Sequence, residues 1–146
     1  MGRLLTSQRA ISFTWGAMVL GLLLIPMLWL SLELSRYARA AGEVQKIADL
    51  SALAAARKAD VLAWQQQTVK VFGPRALPEG RQIAAENSSY LGQFGIHPGV
   101  QRITLNNAQQ VVGVTVAADV TPLFPALPGG RRILITREGF AQFAWR

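Results

Sequence analysis

The stretch that decides the fold is residues 10–34, AISFTWGAMVLGLLLIPMLWLSLEL, which contains no charged residue before Glu33. The run is longer than the roughly 18 apolar residues that mark a membrane-spanning helix. Hydrocarbon offers the backbone no hydrogen-bond partner, so a helix is the only single segment that satisfies its own N–H and C=O groups there. Trp15 and Trp29 lie towards the two ends, where amphipathic rings favour the headgroup level. The stretch therefore predicts a transmembrane helix.

A cleaved signal peptide is the alternative interpretation of this N-terminus. Arg3 and Arg9 give a basic start, and residues 38–40 read Ala-Arg-Ala, which resembles a cleavage site. The apolar run is, however, far longer than the about 7–15 residues of a signal peptide's hydrophobic region. Arg36 would also stand just before the cleavage site. The uncleaved anchor is therefore the preferred interpretation.

Positive charge is spread along the chain rather than concentrated. The 15 Lys and Arg residues outnumber the 8 Asp and Glu residues and give a formal net charge of +7, yet no basic run exceeds a pair. Nucleic-acid-binding proteins gather such charge into a patch or a motif, so we expect no nucleic-acid partner. A basic surface near anionic headgroups, or a solvated surface, accounts for the charge.

Residue types that carry catalysis or bind metals are scarce. The chain has no cysteine, and His97 is its single histidine, which leaves no multi-histidine metal site. A hydrolase triad would depend on His97, and no Gly-x-Ser-x-Gly elbow or phosphate-binding loop accompanies it. We therefore expect a protein that is not an enzyme and uses no cofactor or metal.

The pattern after the apolar run predicts that the helix continues. Residues 35–72 contain no proline and are rich in good helix formers, with Gly42 as their one glycine. Gly73-Pro74 then ends the helix, because proline disfavours the helical conformation in the residue before it. The predicted regions are a cytoplasmic stub (1–9), the transmembrane helix (10–34), a helix extension (35–73) and a small α+β domain (74–146).

Small residues at helical spacing predict places where helix backbones approach closely. They form pairs four residues apart in the apolar run and a stripe on one face of the extension. The predicted helix–helix contact residues are Ser12, Gly16, Ala17, Gly21, Ala48, Ala52 and Ala55. For the alanine stripe the alternative is packing on the protein's own sheet, and both uses are compatible if different turns serve each.

The second half of the chain changes from helical to extended periodicity. A second helix is predicted over residues 79–94, with Gly95 as its C-terminal cap. Residues 112–120 alternate as a half-buried strand does, a weaker strand precedes the Asn106-Asn107 turn, and a last strand covers residues 131–145. The fold class is therefore α+β, with a long transmembrane helix continuing into a domain that has a second helix and a small three-stranded antiparallel sheet.

One segment of the extension contains Val44-Gln45, then Ala48-Asp49, then Ala-Leu-Ala-Ala-Ala over residues 52–56. These residues match a pattern like "l-q-x-A-A-D-A-A-A-L-A-A-A", with Asp49 as the motif aspartate. The segment therefore resembles the one that closes the membrane helix in the TadE/TadG-like family of the tight-adherence (Flp, type IVb) pilus machinery. A terminal rhythm, "V-x-V-x-A … F … I-x-x-x-x-x-A", fits residues 112–118, Phe124 and residues 135–141.

The resemblance implies a single-pass inner-membrane protein whose C-terminal domain is pilin-like and periplasmic. It implies other pilus or envelope assembly subunits as partners, in a hetero-oligomer. Prepilins of this system carry a cleavage-site glycine followed five residues later by glutamate, and neither Gly2 nor Gly16 is followed in this way. The resemblance thus points to a minor pilin or a TadG-like subunit.

Two functional hypotheses follow. The first is an assembly or minor structural subunit of a type IVb pilus. The second is a periplasm-facing membrane anchor or scaffold module that is unrelated to pili. Neighbouring genes for a pilus ATPase, a prepilin peptidase and a secretin would favour the first.

We predict that the protein resists carbonate extraction from membranes and retains its apolar run, because that run carries no charge before Glu33. Intact-mass measurement of the membrane form checks this. A mature N-terminus at Ala41 would show that the run is a cleaved signal peptide.

Overall fold

The computed structural model describes residues 2–58, 71–123 and 132–142, with side chains described from residue 13 onward. The chain divides into two compact units, Met1–Arg36 and Tyr37–Arg146. The elements, in chain order, are helices α1 (Gly2–Ala56) and α2 (Ala76–Ser88), a 3-10 helix (Ser89–Phe94), and strands β1 (Ile96–Asn106), β2 (Val111–Val120) and β3 (Ile133–Gln142). This arrangement confirms the predicted α+β fold class.

The first unit consists of the N-terminal part of α1. This helix is long and apolar enough to cross a membrane, by its length and composition. It continues through Pro26, and its large apolar side chains, such as Phe13 and Leu22, are exposed. A helix that exposes apolar side chains on all its faces suits lipid rather than water.

Helix α1 ends at Ala56, whereas the sequence predicts a helix extension over residues 35–73. Beyond this end, Lys58 makes contacts outside the helix. The carbonyl of Lys58 accepts a hydrogen bond from the N–H of Gly73 at 2.8 Å, and Lys58 Nζ lies 3.3 Å from Glu79 Oε1. Residues 59–70, which the sequence assigns to the helix, lie outside the described residues.

The second predicted helix is observed as two consecutive elements. Helix α2 begins at Ala76, three residues before the predicted start, and the 3-10 helix completes the segment to Phe94. Gly95 has φ 67°, the left-handed conformation that glycine adopts without strain, and its N–H donates to the carbonyls of Leu91 and Gly92. The predicted glycine cap is therefore confirmed.

The sheet is an antiparallel meander in the order β1-β2-β3, as predicted. The β1–β2 turn begins at Asn106, whose Oδ1 accepts a hydrogen bond from the N–H of Gln109 at 3.0 Å. Strand β1 is longer than predicted and includes Pro98. Proline is tolerated there because β1 is at an edge of the three-strand order, where a missing N–H need not break the ladder.

The core of the second unit lies between the helices and one face of the sheet. On β2 the predicted alternation is confirmed, since every second side chain is fully or almost fully buried: Val112, Val114, Val116, Ala118 and Val120. From α1 the same core receives Val44, Ile47 and the alanine stripe, and from α2 it receives Ala84. The central strand therefore anchors the whole unit.

We predict that Val114→Asp destabilises the second unit. Val114 is 1% exposed, and an unpaired carboxylate buried there costs on the order of several kcal/mol or forces protonation. Limited proteolysis of the full-length protein in detergent measures the effect, with Thr136→Asp on an exposed position of β3 as the control. Equal protease resistance of the two variants would contradict the assignment of Val114 to the core.

Candidate interaction site on the long helix

The small residues of the apolar run lie open on α1. Gly16 and Ala17 are exposed and Gly21 is half-buried. A Cβ atom added at Gly16 or Gly21 would meet no described atom within 4 Å. Ser12 belongs to the same helix, although its side chain lies outside the description. This part of the predicted helix–helix contact can therefore accept another helix, and it stays a prediction.

The alanine stripe is already used by the chain itself. Ala48, Ala52 and Ala55 are fully buried in the core of the second unit. Helix α2 meets the stripe at Gly80, where an added Cβ would lie 3.3 Å from Ala55 Cβ and from the Ser51 carbonyl oxygen. In the folded unit these alanines are not accessible to a partner helix. The burial favours the alternative that the stripe packs within the chain.

The motif residues Gln45 and Asp49 connect α1 to the edge of the sheet. Gln45 Nε2 donates to Asp49 Oδ1 at 3.0 Å, one helical turn away, and also to the backbone carbonyl of Glu138 on β3 at 2.9 Å. The Asp49 carboxylate thus orients an amide that can reach the strand. Two residues that the sequence singles out only by resemblance therefore make a direct helix–strand contact.

Gly139 makes the closest approach between β3 and α1. A Cβ atom added at Gly139 would stand 2.5 Å from the Ala48 carbonyl oxygen and 2.5 Å from the Asp49 N. Both are backbone atoms, which cannot rotate away as a side chain can. Sequence analysis missed this residue, and the available signal was a glycine inside a predicted strand, which often marks close backbone approach.

A cluster of side chains joins α1 to the 3-10 helix, and we call it the Arg39–Tyr90 cluster; its members are Arg39, Glu43, Lys46, Tyr90 and Phe94. Tyr90 donates its hydroxyl hydrogen to Glu43 Oε2 at 2.7 Å, and Lys46 Nζ lies 3.0 Å from Glu43 Oε1, an ion pair that the three-residue spacing suggests. The Arg39 guanidinium carbon lies 5.8 Å from the centroid of the Phe94 ring, within the range of a cation–π contact. Glu43 is half-buried and the other four side chains are exposed, so the cluster contributes little to stability.

The cluster keeps one protonation state across neutral pH. The Tyr90 hydroxyl and then Lys46 hold the pKa of Glu43 below its ordinary value of 4.5, and the bond to Glu43 raises the pKa of Tyr90 above 10.0. The Glu43 contribution is lost as pH falls through its lowered pKa, and the Tyr90 contribution is lost as pH rises through its raised pKa. The contact is therefore complete between these two limits.

The described residues contain no group of three or more His, Cys, Asp or Glu side chains placed to hold a metal ion. His97 is exposed on β1, where it pairs in register with Asp119 of β2. Among the described residues, the structure brings together Gln45, Asp49 and Glu138 in the α1–β3 contact, and it also brings together the side chains of the Arg39–Tyr90 cluster.

We predict that Gly139→Ala lowers the stability of the second unit by about 1–3 kcal/mol, because the added methyl group forces the strand and helix backbones apart. The matched control is Gly99→Ala on β1, where a Cβ meets no described atom within 4 Å. Urea-dependent proteolysis of the full-length protein in detergent compares them. Equal urea midpoints would show that β3 does not lie this close to α1.

Comparison with known proteins gives one match. No curated protein and no solved structure matches the chain. The family match ends within the second unit, so the C-terminal part of the resemblance stays a prediction. Over the apolar run, the Gln45–Asp49 contact and the alanine stripe, the resemblance is confirmed: residues 10–58 match the family model described as putative Flp pilus-assembly TadE/G-like.

Proposed function

We propose that this chain is a non-enzymatic, membrane-anchored, pilin-like subunit that acts in assembly of a type IVb (tight-adherence) pilus, as a minor pilin or a TadG-like component. The observation that carries the proposal is the family match over residues 10–58. The match includes both the apolar run and the turns of α1 on which the small domain folds.

The proposed location is the inner membrane, with α1 crossing it once and the C-terminal domain in the periplasm. The length and apolar composition of α1 support its role as a membrane anchor. The match to a pilus-assembly family supports the inner-membrane location. The proposed partners are other pilus or envelope assembly subunits in a hetero-oligomer.

The contact surface proposed for those partners is the small-residue face of the apolar run. Gly16 and Gly21 have space around them within the described residues, so close approach of a second helix there costs the chain none of its own packing. The alanine stripe is buried in the chain's own core and is not proposed as a partner surface.

We predict that deleting the gene abolishes or strongly reduces surface pili, and that the wild-type gene restores them. Gly16→Leu or Gly21→Leu should restore fewer, because a leucine in a close helix contact costs about 1–3 kcal/mol and weakens a complex about fivefold or more. Electron microscopy and quantification of sheared pilin measure the result, with Met18→Leu as the control.

Each outcome has a distinct meaning. Normal pili in the deletion strain would overturn the assembly function and leave the scaffold hypothesis. Loss of pili on deletion with full rescue by both leucine variants would keep the function and exclude the small-residue face. Matched protein levels in the membrane fraction ensure that a weak rescue is not caused by degradation.

A further inference from the structure

The surface formed by Arg39, Tyr90 and Phe94 has a composition that suits the edge of a membrane. We propose that it binds the headgroups of anionic phospholipids and so holds the 3-10 helix at the membrane surface. The proposal needs α1 to be inserted, but it does not depend on a role in pilus assembly.

The position of Arg39 along α1 is the first argument. Leu34 is the last residue of the apolar run, and α1 is helical from Gly2 to Ala56. Arg39 follows Leu34 by five residues, which at the rise of an α-helix is about 7.5 Å. The headgroup layer on each side of the hydrocarbon is about 5–8 Å thick. Helical side chains tilt towards the N-terminus, so the Arg39 guanidinium reaches that layer.

The chemistry of the exposed groups is the second argument. Phe94 is 48% exposed and Tyr90 is 46% exposed. Tyrosine rings favour the membrane–water interface, and phenylalanine is common on the apolar face of helices that lie there. The Arg39 guanidinium lies 5.8 Å from the Phe94 ring centroid. A guanidinium carries five N–H donors in a fixed planar fork, which matches the oxygens of a phosphate.

The local charge balance is the third argument. Glu43, the carboxylate of this cluster, binds the Tyr90 hydroxyl and forms an ion pair with Lys46. The Tyr90 hydroxyl, Lys46 and Arg39 all lower the pKa of Glu43, and the two cations offset its negative charge within the cluster. The two cations outnumber the one carboxylate, which leaves the cluster with a net positive charge. A surface with a net positive charge attracts an anionic headgroup more strongly than a zwitterionic one.

The test uses the full-length protein in lipid nanodiscs. The chain has no native cysteine, so Gln93→Cys places a single spin label on the 3-10 helix beside Phe94, and Ala108→Cys places one on the β1–β2 turn. Nanodiscs of phosphatidylcholine alone are compared with nanodiscs that contain phosphatidylglycerol. Collision of the label with a water-soluble nickel complex reports its exposure to water.

We expect phosphatidylglycerol to protect the label at position 93 and to leave the label at position 108 unchanged. Arg39→Gln should lower the ratio of protected to accessible label at position 93 about fivefold, because one arginine near an anionic surface contributes about that much to binding. Arg137→Gln removes the same charge from an exposed position on β3 and should leave the protection intact. Equal protease resistance of the two variants in detergent establishes that both are folded.

Two results would overturn the proposal. The first is a label at position 93 that is equally accessible in both lipids. The second is protection that survives Arg39→Gln, since the aromatic rings alone would then account for it. A label that is accessible in both nanodiscs and protected only in membranes containing the assembled pilus machinery would assign the surface to a protein partner instead. None of these results bears on whether gene deletion removes pili.

Discussion

The packing of the second unit depends on the approach of two backbones, that of β3 at Gly139 and that of α1 at Ala48 and Asp49. An α-helix and a strand approach this closely only where neither presents a bulky side chain. Gly139 has no side chain, and the alanines of α1 extend by one methyl group each. Gln45 then spans the remaining distance with a hydrogen bond to the carbonyl of Glu138. The small residues thus set how closely helix and sheet pack.

Because the sheet packs so closely on α1, part of the helix surface is not accessible to a partner. The sheet and α2 occupy the face that carries Ala48, Ala52 and Ala55, and this face holds the core together. The apolar run keeps Gly16 and Gly21 accessible among the described residues. The alanines of α1 thus pack inside the folded unit, and the glycines of the apolar run are the ones proposed for contact with a second chain, since close packing of either kind needs short side chains.

The sequence predicts secondary structure and burial correctly wherever its periodic pattern is strong. The valines of β2 alternate without interruption, and their burial follows, because a strand with one covered face must place every second residue in the core. Prediction fails where local signals are absent. No proline or glycine stands at the end of α1, so no local signal in the sequence marks Ala56 as its last residue. Likewise, β1 begins at Ile96 although Pro98 argues against a strand there.

The sequence alone determined that α1 is long and apolar, that a second helix and a three-stranded antiparallel sheet follow, and that residues 10–58 fit a pilus-assembly family. These properties depend on composition and on local spacing. Only the tertiary structure decided that the alanine stripe is buried, that Gly139 meets the helix backbone, and that Arg39 lies over Phe94. The last two of these contacts join residues more than forty positions apart, and the first depends on which element covers the face of a helix. Helical or strand periodicity specifies which residues share a face, but it does not specify what packs against that face.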